Sequence, residues 1–472
     1  MKNFILITGL VLLFGCSGNQ SPDTISQINQ DLNTQPTTAG KNSLAIETGE
    51  NYYVSQDDGN NNNDGLTLDM PLKTIQYAID IAVPGDTINI KESINYYPAV
   101  VIRKSGVKGL PITIQGVGNN ARPIISGSRL VDDWRESDNL DVWEMETSAN
   151  PNLVVEDNKN LIKASSRQLD DGQWFFESNH LYYKPTSGLP SNHTVWRSQR
   201  AGGMKLIGVS WIVVKNIDFY LGQGAGVELK GSNHNIIQNV LSKWHWQGIR
   251  ITSDSNYNKI LNVEATENRE GIYISFQSSF NTIKNCKSFW NGNLPYWSKG
   301  DRGGVLIGEG GPNTGNVIEG CEIAFNGGPD SDPALIAYKA PNTVLKNNNI
   351  HHNYGSGLFI TIGSNDSVVN DNVISKNGRH AVLSGYKGIS GLSIRRSKRV
   401  LVQGNKVFNN YVSPDSRWTG KDLGPKGGMD LQGNSNDTME NIHFINNTVS
   451  GTIGGPDMFF SKVPKTPGLI VE

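Results

Sequence analysis

Charged residues recur at one point of successive segments in the second half of the chain, two positions before short runs of Val, Ile and Leu. In chain order, these positions hold Trp246, Arg269, Arg302, Asp332, Gly355, Arg379 and Lys426. Four of the seven are cations, although the whole chain has a formal net charge of −2. Because guanidinium and ammonium groups bind carboxylates, this basic stripe favours an acidic ligand. Each charge taken alone is more typical of a solvated turn.

Further acid and base candidates flank the same runs. Glu270 and His380 lie one position before a run, where a carboxylate or an imidazole suits proton transfer. At the far end of two neighbouring runs, Glu309 and Lys339 occupy equivalent places, with Tyr338 beside Lys339. The two charged residues form either a plain ion pair or an acid and a base that tune each other.

Three insertions enlarge one corner of the repeating segment, each between a recurrent Asn and the following run. They carry aromatic and charged residues, namely Tyr296, Trp297, Lys299, Asp301, Asp330, Trp418 and Lys421. Aromatic rings stack on sugar rings, and polar groups bind their hydroxyls and acids. Long loops on a regular scaffold are usually functional. The insertions therefore predict the walls of an open groove, with Trp246, Trp297 and Asp301 contacting a saccharide chain.

A repeat spaces all of these residues. Similar segments begin at Ser232, Ser255 and Ser278, a period of 23 residues. Short β-branched runs at this period, without helical periodicity, predict the coils of a parallel β-helix. Alternation along each run then separates inward from outward side chains. The predicted outward set is Glu228, Arg250, Tyr273, Leu306, Ile336, Phe359, Leu383 and Asp430, which counts "AVLSG" from Ala381 as one run.

Other recurrent positions have interior interpretations. An Asn precedes each run at positions 268, 291, 326, 353 and 377, and we expect these side chains to form an internal amide ladder rather than a ligand-binding row. Cys286 and Cys321 occupy matching places in adjacent segments, which predicts a pair of buried thiols, with a disulfide as the alternative. His351 and His352 are adjacent in a strand, so they are expected to face opposite sides.

The N-terminal segments complete the pattern. An amphipathic helix is expected over residues 72–82, where it would cap the open end of the coil stack. The stretches "YYVSQDDG", "SGVKGLPITIQG" and "PIISG" resemble the entry coils of secreted bacterial right-handed parallel β-helix proteins of the pectin-lyase-like type. That resemblance implies an all-β chain with a capping helix. It also implies carbohydrate-active relatives, mostly polysaccharide lyases and some glycoside hydrolases.

The remaining chain divides by composition. Residues 1–16 combine a short apolar core with "LFGC", which resembles a bacterial lipobox and predicts a lipid anchor on Cys16 and an outer-membrane location. Antiparallel patterning interrupts the coils as a β-rich excursion. The predicted divisions are a signal peptide at 1–16, a flexible tether at 17–48, a cap with first coils at 49–127, the excursion at 128–200, further coils at 201–462 and a tail at 463–472.

Three functions remain open at this stage. A lyase that cleaves an acidic polysaccharide by β-elimination would use Arg269, Arg302, Arg379 and Lys426 to bind uronates, with Lys339 or His380 as the base. An inverting glycoside hydrolase would use Glu270 and Asp332, about 9–10 Å apart in regular coils. A non-catalytic glycan-binding β-helix is the third.

Cofactors and partners follow from the same reasoning. Lyases of this resemblance often use calcium, but the sequence shows no compact Asp cluster on the groove face, so the metal is open. The balanced charge gives no field that would attract nucleic acid. We expect a monomer that binds an anionic polysaccharide.

Overall fold

The computed structural model describes residues 49–118, 121–139, 141–199, 202–292, 303–328, 333–383, 389–413, 427–432, 439–460 and 468–472. Three long parallel sheets dominate this part of the chain, and successive coils add one strand to each sheet. The prediction of a parallel β-helix with an N-terminal helix is confirmed. Neither of the two described α-helices is long and apolar enough to cross a membrane.

The three parallel sheets are numbered here in the order in which the chain first enters them. Sheet 1 has 13 strands: Asn51–Val54, Thr87–Lys91, Ile112–Val117, Ile212–Lys215, Ile236–Gln238, Lys259–Leu261, Thr282–Lys284, Val317–Glu319, Val344–Lys346, Val368–Asn370, Leu401–Gln403, His443–Ile445 and Ile470–Val471. Sheet 2 has 11: Tyr97–Pro98, Ile124–Ser126, Asp218–Tyr220, Leu241–Lys243, Glu264–Thr266, Lys287–Phe289, Glu322–Ala324, Asn349–His351, Val373–Ser375, Lys406–Phe408 and Thr448–Ser450. Sheet 3 also has 11: Val100–Ile102, Met204–Ile207, Ala225–Lys230, Gln247–Thr252, Glu270–Ile274, Val305–Ile307, Leu335–Tyr338, Leu358–Thr361, Leu392–Arg395, Met429–Gln432 and Met458–Phe460.

The strand Ile470–Val471 lies in the segment that the sequence suggested was a tail. It pairs in parallel with His443–Ile445 in sheet 1. The predicted tail at 463–472 therefore contains a strand of sheet 1.

Asparagine ladders hold the corners of the coil. The side-chain oxygen of Asn291 accepts a hydrogen bond from the backbone N–H of Asn268 at 3.0 Å, and the Asn268 amide nitrogen donates to the carbonyl of Ser242 at 3.0 Å. Each ladder Asn follows a residue with positive φ, such as Glu267 at 52° and Trp290 at 57°. The left-handed corner turns the chain, and the amides satisfy its buried backbone groups. The predicted internal ladder is confirmed.

The two cysteines belong to an equivalent ladder at the corner between sheets 1 and 2. Both are free and buried. The Cys286 N–H donates to the sulfur of Cys321 at 3.4 Å, and the Cys321 N–H donates to the side-chain oxygen of Asn348 at 2.9 Å. The thiols thus occupy places that amides take in later coils, and the prediction of a buried thiol pair is confirmed.

One of the predicted coils is assigned to the wrong residues. The run "AVLSG" from Ala381 is not a strand, because Arg379–Leu383 forms the short helix α2. The strand Leu392–Arg395 takes its place in sheet 3 and pairs with Leu358–Thr361. Gly391 precedes this strand, and a Cβ there would lie 2.5 Å from the Gly428 carbonyl oxygen and 2.8 Å from the Asn410 amide nitrogen. Only glycine fits this inner corner without displacement of its neighbours.

The histidine pair also differs from expectation. The Nδ1 atoms of His351 and His352 lie 2.8 Å apart, so the two rings meet instead of facing opposite sides. His352 has φ 54°, which ends the strand alternation at this residue. His351 Nε2 lies 3.1 Å from Glu322.

Helix α1 (Ile75–Ile81) is shorter than the predicted 72–82. Thr74 caps it by accepting a hydrogen bond from the Tyr77 N–H. The buried side chains Ile75, Ala78 and Ile79 face the coil core. The predicted capping role is consistent with this packing.

The excursion contains two further sheets and its own apolar cluster around Trp174, Leu181 and Tyr183. The four-stranded sheet runs in the order Lys159–Asn160, Val154–Glu156, Val195–Ser198 and Ser128–Val131. The five-stranded sheet runs in the order Ile162–Lys163, Gln173–Glu177, His180–Lys184, Trp143–Glu146 and Arg135–Glu136. All pairs are antiparallel except Ile162–Lys163 with Gln173–Glu177. A 3-10 turn at Pro190–Asn192 precedes the last strand.

Candidate functional site

The outer face of sheet 3 presents one column of side chains along the coils. Strand register aligns Lys205, Glu228, Arg250, Tyr273, Leu306, Ile336, Phe359, Ser393 and Asp430 in that order. The predicted outward set is confirmed except for Leu383, whose place Ser393 takes. Tyr273 and Leu306 are only 5% and 3% exposed.

At the first coils this face is charged and internally neutralised. Glu228 lies 3.7 Å from the Lys205 ammonium and 3.6 Å from the Arg250 guanidinium. Alternating charges on adjacent rungs stabilise the stack. The Glu228 carboxylate is thus already paired with cations of the chain.

A cleft of ≈ 340 Å³ opens in the middle of the face. Its lining consists of Tyr273, Leu306, Ile307, Gly308, Glu309, Ile336 and Tyr338. Tyr273 and Leu306 form a buried floor, whereas the Glu309 side chain is exposed at the rim. Two tyrosines and two aliphatic side chains give a surface on which a sugar ring can pack.

Lys339 lies next to this cleft. Pairing of Ile307 with Ala337 places Glu309 and Lys339 at equivalent points of adjacent coils, as the sequence predicted. Between these two described residues no ion pair forms; the Lys339 ammonium instead lies 5.2 Å from the centroid of the Tyr338 ring. The ion-pair interpretation is therefore wrong. The amine remains available at the edge of the cleft.

The opposite edge of sheet 3 holds a second cluster of predicted site residues. Arg269 donates to Glu270 at 2.7 Å, and Gln247 donates to the other carboxylate oxygen at 2.8 Å. The Arg269 guanidinium stacks on Trp246 at 4.4 Å. The Glu270 side chain is only 4% exposed. This arginine neutralises a buried carboxylate, so its first role is structural.

Arg379 and His380 do not lie on the sheet 3 face, because helix α2 contains both. The His380 ring stacks on Tyr354 with centroids 6.0 Å apart. Helix α2 follows sheet 2 and precedes a strand of sheet 3, whereas Lys339 follows a strand of sheet 3. The two base candidates thus occupy opposite edges, and the structure favours Lys339 at the cleft.

Several predicted residues fall outside the described part of the chain. They are Arg302, Asp332, Lys426, Trp297, Asp301 and Cys16, together with the insertion residues Tyr296, Lys299, Asp330, Trp418 and Lys421. The distance between Glu270 and Asp332 and the groove walls therefore stay predictions.

The excursion holds a polar cluster that the sequence did not predict. Ligand atoms of Glu156, Asp157 and His193 all lie within 4.8 Å of one another. The protein itself satisfies these atoms: His193 Nδ1 is 2.7 Å from Asp157, and its Nε2 is 2.6 Å from the Ser187 carbonyl. Glu156 accepts hydrogen bonds from Tyr183 and Thr186. We therefore interpret the cluster as a hydrogen-bonded brace and assign no metal to it.

The brace also changes the titration of its members. The hydrogen bond to Asp157, and then that to the Ser187 carbonyl, raises the pKa of His193 above its ordinary value. The hydrogen bond from His193 lowers the pKa of Asp157. His193 therefore contributes stability that is lost as pH rises through its raised pKa, and Asp157 contributes stability that is lost as pH falls through its lowered pKa. Between those limits the brace is intact.

Comparisons with known proteins agree with the architecture. A family model described as "Right handed beta helix region" matches residues 179–314 and 298–453. A solved glycoside hydrolase is similar, with 12% identity, a TM-score of 0.54 and coverage of 89% of this chain and 96% of that chain. The A-module of a mannuronan C-5 epimerase from Azotobacter vinelandii has 12% identity, a TM-score of 0.49 and coverage of 84% and 94%. An alginate lyase from Paenibacillus sp. has 13% identity, a TM-score of 0.40 and coverage of 84% and 95%. No curated protein sequence matches the chain. At these identities, the likeness shows the fold alone.

Proposed function

The chain belongs to the family of proteins with a right-handed β-helix region, and we propose that it is a carbohydrate-active member that cleaves an acidic polysaccharide by β-elimination. The observation that carries this proposal is the set of side chains that line and border the cleft on sheet 3. Tyr338 offers aromatic surface above a floor that Tyr273 and Leu306 form, Glu309 offers a hydrogen-bond acceptor, and the Lys339 amine lies beside them.

The reaction requires few groups. A base removes the proton from the carbon that bears the uronate carboxylate, the new electron pair forms a carbon–carbon double bond, and the glycosidic oxygen leaves and takes up a proton. A cation near the carboxylate stabilises the charge that develops on it. We assign the base to Lys339 and the cation to Arg302, which precedes the strand Val305–Ile307 in the chain and would therefore reach the substrate from the opposite edge of the sheet. Glu309 then accepts hydrogen bonds from sugar hydroxyls.

Hydrolysis is the second candidate, and the cleft supports it less. Glycosidases use two carboxylates that flank the bond. Glu309 is the one carboxylate among the described residues that line the cleft. Glu270 lies at the opposite edge of the sheet and is bound by Arg269. A hydrolase would need Asp332 or Asp301 as the partner.

Digestion of a panel of uronate-containing and neutral polysaccharides by the chain without residues 1–16 tests the proposal. We expect ultraviolet absorbance of the unsaturated product to rise, together with new reducing ends, on at least one uronate polymer. New reducing ends without absorbance would support hydrolysis instead. No cleavage of any polymer would support the non-catalytic glycan-binding alternative. Repeating the assay with a chelator would show whether calcium takes part.

Membrane attachment through Cys16 also stays a proposal. We expect Cys16→Ser to abolish incorporation of labelled fatty acid and to release the protein from the membrane fraction of the producing bacterium. Cys286→Ser is the matched control, because this thiol is buried in the coil, and it should be labelled like the wild type. A Cys16→Ser protein that stays labelled and membrane-bound would contradict the anchor.

A further inference from the structure

A second concave site, here called the excursion pocket, lies where the excursion meets an early coil. It has a volume of ≈ 480 Å³, within the range of about 300–1,000 Å³ that is common for small-molecule sites. Its lining consists of Asn95, Leu130, Val131, Asp132, Trp134, Trp143, Leu189, Pro190, Ser191, His193 and Thr194. None of these residues belongs to the cleft on sheet 3.

Two indole rings give the pocket its apolar surface. Trp134 packs against the buried Tyr183 with ring centroids 4.8 Å apart. Trp143 lies in a strand whose pairing with Tyr183 fixes its backbone. Both indoles are half-buried and border the excursion core. Rigid, partly exposed indoles are suited to stacking on the C–H face of a pyranose ring.

Three polar side chains of the excursion pocket have no partner in the described part of the protein. The side chains of Asn95, Asp132 and Ser191 are exposed and form no hydrogen bond or ion pair with the described part of the chain. His193 is different, because both of its ring nitrogens are held by Asp157 and the Ser187 carbonyl. The brace therefore fixes one wall, while a carboxylate, an amide and a hydroxyl stay free to bind hydroxyl groups.

The charge of the lining defines the ligand class. The sheet 3 cleft has the Lys339 ammonium beside Tyr338 at its edge, whereas no lysine or arginine lines the described excursion pocket. Without such a cation, Asp132 would repel a uronate. We propose that the excursion pocket binds a neutral pyranose residue, with Trp134 and Trp143 against the ring and Asp132 accepting hydrogen bonds from two hydroxyls. This site goes beyond the proposed cleavage reaction and does not depend on it.

The test is ligand-observed NMR with a panel of neutral methyl glycosides (glucoside, galactoside, mannoside and xyloside) and with methyl galacturonide as the acidic probe. We expect at least one neutral glycoside to bind and the galacturonide to bind more weakly. Asp132→Asn should weaken binding about tenfold, since a charged acceptor is lost. Asp133→Asn is the matched control, because the adjacent carboxylate does not line the pocket.

A second pair of variants tests the aromatic surface. Trp143→Ala should abolish the NMR signal, whereas Trp290→Ala, which removes an indole 49% exposed on the coils, should leave it unchanged. The proposal is overturned when no neutral glycoside binds, when the galacturonide binds best, or when Asp132→Asn and Asp133→Asn behave alike. Lys339→Met should bind the neutral glycoside like the wild type, so a failure of the cleavage proposal would be seen separately.

Discussion

Lys339→Met is expected to lower kcat/KM for a uronate polymer by about 100- to 10,000-fold, the usual contribution of a general base. Methionine keeps an aliphatic stem against Tyr338 but cannot accept a proton. Because Lys339 is exposed and forms no ion pair with Glu309, the change should leave the coil intact. The measurement is the rate at which absorbance of the unsaturated product rises, on the polymer identified by the panel.

Two variants make this prediction specific. Lys406→Met removes an exposed lysine from a strand of sheet 2, and it should retain full activity. Glu309→Gln should lower activity less than Lys339→Met, because an amide oxygen still accepts a hydrogen bond from a hydroxyl. Wild-type activity in Lys339→Met would remove this residue as the base. Complete loss in Glu309→Gln, with reducing ends as the only wild-type product, would assign Glu309 to a hydrolase.

Periodicity made much of the coil predictable. Each coil presents its neighbour with nearly the same environment, so the Asn ladder and the inward Val227, Ile249 and Ile272 follow from a repeating pattern. The pattern did not predict that Leu392–Arg395, rather than "AVLSG", forms the strand of sheet 3, because apolar and polar residues alternate in the same way in both stretches. The tight space around Gly391 is a property of the folded coil that the alternation of apolar residues does not reveal.

The candidate site was predictable only in part. Counting residues along two coils predicted that Glu309 and Lys339 occupy equivalent positions, and the pairing of Ile307 with Ala337 confirms this. The contact of His351 with His352 was missed, although a signal existed: the residue before each ladder Asn, as in Glu267 and Trp290, takes positive φ. The excursion has no repeat, so nothing in the sequence brings His193 to Asp157, 36 residues earlier.

A fully buried histidine should make the fold sensitive to acid. Burial lowers the pKa of His245 from its ordinary value of 6.5 to about 4, and a nearby carbonyl of Phe219 only partly opposes this effect. Neither ring nitrogen has a hydrogen-bond partner in the described structure. The folded pKa lies below the unfolded pKa. The contribution of the neutral His245 to the free energy of unfolding is therefore fully present above pH 6.5, and it falls by about 1.4 kcal/mol per pH unit as the pH drops toward 4.

The ladder indicates how this sensitivity can be removed. His245 stands at the place of the first ladder Asn, and its backbone N–H already donates to Asn268 at 2.9 Å. Each following Asn donates to the carbonyl of a residue in the preceding coil, as Asn268 does to Ser242, 26 residues earlier. For position 245 the equivalent carbonyl belongs to Phe219. An asparagine at this position would therefore add one rung and satisfy a buried acceptor, without a titratable group.

Between pH 6.5 and 4, we expect the free energy of unfolding of His245→Asn to fall by about 3 kcal/mol less than that of the wild type. The measurement is the denaturant midpoint at several pH values, compared between variant and wild type so that other titrating groups cancel. His234→Asn is the matched control, because this histidine is exposed at a left-handed corner with φ 57°; its profile should follow the wild type. Equal acid slopes in wild type and His245→Asn would show that the buried imidazole does not control the loss.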